Sequence, residues 1–102
     1  MNKIRFYRQQ IWKYGFCPLL LLMAMYEQEQ KFEECEFILQ ALKLHYQEYD
    51  LKFPLKFTEQ AIEDYMQGFW KHGLSGKEAV NNLPVYAHEI EQTLIKYEKA
   101  HV

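Results

Sequence analysis

Leu19 to Tyr26 is an unbroken run of eight apolar residues, LLLLMAMY, and it restricts the choice of fold more than any other part of this 102-residue chain. A run of that kind has to leave water. It follows a basic, aromatic leader and gives way at once to Glu27 and Glu29, so its host is a bilayer, a secretory signal or the inside of a helical protein. A spanning helix needs roughly 20 apolar residues at about 1.5 Å each, and Phe16 to Tyr26 falls well short of that. A signal peptide matches the basic start and the short apolar run better, but the leader is long and the exit LMAMYEQ lacks the paired small residues of a cleavage site. The run is therefore expected to be the buried half of a helical hairpin in a soluble, cytoplasmic protein without a membrane span.

Composition supports a folded chain. Hydrophobic residues make up 49% and aromatics 17%, with four glycines and three prolines, whereas disorder requires low hydrophobicity and high net charge. The length suits a single domain over residues 1–102. The net charge of −2 gives no global attraction for polyanions, but it hides an asymmetry. Lys3, Arg5, Arg8 and Lys13 occupy the first 15 residues with no acid among them, while residues 27–36 hold five glutamates against Lys31.

Helical periodicity runs through most of the chain. Ile4, Tyr7, Ile11 and Tyr14 recur at steps of three and four and predict an amphipathic helix over 3–14, closed by Gly15. Pro18 opens a second helix to about residue 30, apolar nearly all round in its first half and so expected to be surrounded by other helices. Phe32, Cys35, Leu39, Leu42, Tyr46 and Tyr49 predict a third. The stretch LKFPLKF, residues 51–57, alternates around Pro54 and reads as an extended connector or, equally, a short edge strand. Thr58 caps a helix to about His72 with Ile62, Tyr65, Met66 and Phe69 inward, and Gly73 closes it. Ser75 and Glu78 form a capping box for a short helix to Asn82, and Pro84 opens the last helix, with Tyr86, Ile90, Leu94 and Tyr97 on one stripe. The expected fold is all-α, a compact bundle of about five helices, one of them short, around an antiparallel hairpin.

The hairpin carries a family resemblance. Leu19, Leu22, Tyr26, Phe32, Cys35, Leu39 and Leu42 have the spacing of a tetratricopeptide repeat, so residues 18–49 resemble one copy of that motif, with Met23 where the family prefers a small residue and no second copy downstream. The resemblance implies protein binding and no catalysis. Antiparallel geometry further places Cys17 at the open end of the hairpin and Cys35 beside its turn, roughly 15–20 Å apart by helical rise, beyond disulfide reach. Both thiols are expected to be free.

Residues 76–97 are similar to a helix-turn-helix, a short capped helix, a turn and a longer helix. The chemistry is wrong for DNA. Residues 84–95 hold Glu89 and Glu91 and no lysine or arginine, yet a reading helix must approach a line of phosphates. The leader, residues 3–14, is the better candidate for a polyanion or a membrane surface, since Arg5, Arg8 and Lys13 are interleaved with Phe6 and Trp12.

No catalytic or metal constellation stands out. His45, His72, His88 and His101 are far apart, the two cysteines form no C-x-x-C, and GLSGKE lacks the spacing of a phosphate loop. Neither a cofactor nor catalysis is expected. The leading expectation is a small protein–protein interaction module, self-association being one form of it, with Arg5, Arg8, Trp12, Phe69 and Trp70 as contact residues. Trp12 lies beside its helix's apolar stripe and Trp70 follows Phe69, and aromatic and arginine residues are enriched at interfaces. The alternative is a nucleic-acid-binding regulator using 76–97 or 3–14.

Overall fold

A computed structural model describes residues 2–48, 55–68 and 76–100. Among these the regular secondary structure is all helix, with no strand. The helices are α1 (Lys3–Tyr14), α2 (Cys17–Gln28), α3 (Phe32–Glu48), α4 (Glu59–Gly68), the short α5 (Gly76–Asn81) and α6 (Leu83–Ala100). Expectations for Tyr49, for residues 51–54, and for Phe69, Trp70, His72, Gly73 and Ser75 lie outside the described residues.

The apolar run is the axis of the assembly. Pro18 sits in the first turn of α2, where its missing N–H costs no hydrogen bond. From there Leu19, Leu20 and Leu22 are completely buried and Tyr26 nearly so. A helix with apolar residues on every side needs neighbours on every side, and α2 packs against α1, α3, α4 and α6. Each fully buried leucine contributes about 1.5–3 kcal/mol relative to exposure.

The corner between α1 and α2 is fixed by sequence. Asn2 caps α1, its side-chain oxygen accepting from the Arg5 N–H at 3.0 Å. At the other end the Gly15 N–H reaches the Ile11 carbonyl at 2.8 Å, and Gly15 itself adopts φ 86°, ψ −178°. That conformation is essentially reserved for glycine. The space is also taken, because a Cβ on Gly15 would stand 2.6 Å from Cε2 of Tyr65. The Tyr65 hydroxyl donates to the Tyr14 carbonyl at 2.7 Å, so α4 clamps the corner from outside.

The turn from α2 into α3 closes with Gln30 in the left-handed region, φ 61°. Lys31 N–H bonds the Tyr26 carbonyl at 2.8 Å and Gln30 N–H bonds that of Glu27 at 3.1 Å, the paired pattern of a Schellman ending with glutamine where glycine is usual. Lys31 Nζ lies 5.3 Å from the centre of the Tyr26 ring.

The face that α3 buries differs from the predicted stripe. Leu42 and Tyr46 are buried as expected, but Phe32 is 62% exposed and Cys35 and Leu39 are half-buried, while Ile38, Ala41 and His45 point inward. The cause is that α3 packs on α1 as well as on α2, which rotates its buried face toward the first helix. In α4, Thr58 Oγ1 accepts from the Ala61 N–H at 3.1 Å, as a cap should. Ala61 and Tyr65 are buried there, and Met66, expected inward, is exposed. In α6 the stripe Tyr86, Ile90 and Leu94 is buried together with Leu83 and Ala87. Its expected continuation, Tyr97, is 39% exposed and touches only the edge of the core through Phe6, ring centres 6.3 Å apart.

A polar clasp ties the first helix to the third and last. Lys3 Nζ pairs with Glu34, and with Glu98 at 2.9 Å. The Tyr7 hydroxyl donates to the same Glu34 carboxylate at 2.6 Å. Burial acts to lower the Lys3 pKa, but the two carboxylates outweigh it and the net shift is upward. The basic leader is thus a packed helix whose first cation is held by acidic groups of this chain.

Candidate interaction groove

Helix α1 buries Phe6, Tyr7, Ile11 and Tyr14, which leaves Arg5, Arg8 and Trp12 at steps of three and four on its outer side. Beside them Leu44 of α3 is 41% exposed. These residues, with Ile4 and Gln9, line a groove of about 510 Å³. Trp12 is 54% exposed and stands edge-on to the nearly buried His45, ring centres 5.5 Å apart at 82°. The groove therefore combines the apolar side chains of Ile4, Trp12 and Leu44 with two arginines, and among the described residues no carboxylate lines it.

Three of the predicted contact residues, Arg5, Arg8 and Trp12, are brought together here. Phe69 and Trp70 lie outside the described residues. Ile4, expected on the apolar stripe of α1, is half-buried and lines the groove, as does Leu44, which was not singled out in the sequence. Leu44 follows Lys43 and falls off the predicted stripe, and only the rotation of α3 toward α1 makes it a wall of this groove.

Other surfaces carry less chemistry. A second groove, about 490 Å³, includes Met23, Phe32, Cys35, Leu39 and Leu55. The Cys35 thiol donates to the Met23 carbonyl at 3.4 Å. Burial and the nearby Glu27 push its pKa up, which disfavours the reactive thiolate. Burial alone pushes Cys17 up to about 12. Both cysteines are free. A third space, between Lys3, Lys31, Glu34, Glu91 and Glu98, is spanned by the Lys3 clasp. Among the described residues, no three His, Cys, Asp or Glu side chains are placed to hold a metal ion, and no helix is long and apolar enough to cross a membrane.

The helix-turn-helix-like region corresponds to α5 and α6. The buried face of α6 is spent on the core, and near its start the exposed residues are Pro84, Val85, His88 and Glu89, the last accepting from the Tyr14 hydroxyl at 2.9 Å. Lys96 and Lys99 come only in the final turns. That end of the helix presents a carboxylate where a DNA-reading helix presents cations. No protein-family model, no curated protein and no solved structure matches this chain.

Proposed function

We propose that the chain is a small protein-interaction module without catalytic activity of its own, and that the groove between α1 and α3 is where it holds a protein partner. One observation carries this: Trp12, more than half exposed, shares a groove with Arg5, Arg8 and Leu44, and among the described residues no acid lines it. Tryptophan and arginine are the residues most often found to dominate binding energy, and apolar side chains beside guanidinium groups suit an acidic segment with an apolar anchor. The α2–α3 hairpin, with its likeness to a single tetratricopeptide unit, points the same way. Two unbridged cysteines suit a reducing compartment such as the cytoplasm.

Nucleic acid is the competing partner for the same cations, and salt separates the two. Phosphate contacts are lost steeply as salt rises, whereas a contact anchored on Trp12 and Leu44 survives moderate salt. The test is a photo-activated cross-linker at Gln9, an exposed residue of the groove, with the same group at exposed Gln92 on α6 as control. Protein adducts at position 9 that are absent at position 92 and disappear with Trp12→Ala support the proposal. Equal labelling at both positions, or nucleic-acid adducts alone, would sink it.

A further inference from the structure

We infer that the occupant of the α1–α3 groove is the acidic hairpin tip of a second copy of this chain, which rests on the groove being a protein-binding surface. The tip has the complementary chemistry. Phe32 is the most exposed large hydrophobic side chain among the described residues, at 62%. It stands at the start of α3 among Glu29, Glu33 and Glu36, all exposed, with Lys31 taken by Glu29 at 3.1 Å. Helix capping accounts for Glu33, an acid in the first turn. Glu29 pairs with Lys31 and Glu36 accepts from the Gln40 amide at 2.8 Å, but neither contact accounts for an exposed phenylalanine beside them. An apolar knob next to exposed glutamates on one copy thus meets a groove lined by Trp12, Leu44, Arg5 and Arg8 on another.

The two halves cannot meet within one chain. Phe32 is held in the first turn of a helix and lines the groove that contains Met23 and Leu55, whereas the basic groove lies over α1 and Leu44. Different patches engage on the two copies, so the contact is head-to-tail, and addition of further copies is open unless a ring closes. One tip in one groove covers little area, which places the association in the weak, transient class, below about 1,200 Å² of total buried surface.

The test is sedimentation velocity of the full chain over a range of concentrations and salt. The expected result is an average mass that rises with concentration and falls as salt screens the charged rim. Arg5→Glu spoils the groove and Phe32→Ser spoils the tip, and each is expected to weaken association at least about tenfold. Both positions are exposed, so the helical signal should not change. Mixed in equal amounts, the two variants retain one intact groove and one intact tip between them and should form a dimer that grows no further. A wild-type chain that stays monomeric at its highest soluble concentration overturns the inference, as does association indifferent to both substitutions. If the Gln9 cross-linker captures a different protein while the purified chain stays monomeric, the second-copy inference fails and the groove proposal stands. If it captures neither, both fail.

Discussion

Alkaline pH should unfold this protein, through its buried tyrosines. Tyr7, Tyr26, Tyr46 and Tyr65 are between 0% and 7% exposed, and burial raises the pKa of each well above the ordinary tyrosine value. For Tyr7 the effect is reinforced by the Glu34 carboxylate that accepts its proton in a hydrogen bond, and for Tyr26 by Glu91. The sign follows from proton binding. A folded-state pKa raised above the unfolded value of about 10 gives a contribution fully present below that pH and lost as pH rises. At about pH 11 each such tyrosine has lost about 1.4 kcal/mol, so four together remove roughly 5–6 kcal/mol. Small domains hold only about 5–15 kcal/mol in total, and folding should fail within a unit or two above pH 10, on the order given by those figures. Phenolate absorbance and far-ultraviolet helix signal, followed together along the titration, provide the assay. The buried phenols should ionise only as the helix signal collapses, and Tyr7→Phe should make the decline shallower by about 1.4 kcal/mol per pH unit. Ionisation of every tyrosine with the helix signal intact would refute the reasoning.

Other substitutions test other parts of the fold. Gly15→Ala has to accept a glycine-only backbone conformation and a clash with Tyr65, and should cost about 3 kcal/mol or more in urea unfolding. Gln30→Gly relieves a left-handed residue at the end of α2 and should stabilise by about 1 kcal/mol in the same assay. Leu22→Ala, at the centre of the bundle, should cost about 2–5 kcal/mol, while Trp12→Ala, on the surface, should change stability by no more than about 0.5 kcal/mol. A maleimide should label half-buried Cys35 slowly in the native protein and reach Cys17 only after denaturation, which mass mapping would resolve.

Most of the helices were legible in the sequence because their punctuation is chemical. Glycine and threonine at positions 15 and 58 each occupy the cap their chemistry suits, and Pro18 marks the start of α2. The helix surrounded on all sides was legible too, since eight apolar residues leave no polar face. Harder to read was how far each buried face extends. On α3 one stripe holds Cys35, Leu39 and Leu42 and a neighbouring one holds Ile38, Ala41 and His45, so hydrophobicity alone fits both. Only the presence of α1 beside α3 decides between them, and that is a long-range contact. Met66 and Tyr97 were misplaced for the same reason, because each is apolar enough for a core that ends one position short of it. Of the groove, the α1 half followed from helical spacing, while Leu44 depended on that same rotation.

The position of α2 also orders events during synthesis. Its most apolar surface is made early, yet part of its cover, Tyr86, Ile90 and Leu94 of α6, is about 60–70 residues further along the chain. Translation adds about 5–20 residues each second, so for several seconds the nascent protein exposes a leucine-rich helix that nothing on its own chain can yet shield on that side. Emergence of α6, and not the appearance of the first helices, is then the moment at which this core closes, and holding chaperones have their opportunity in that interval.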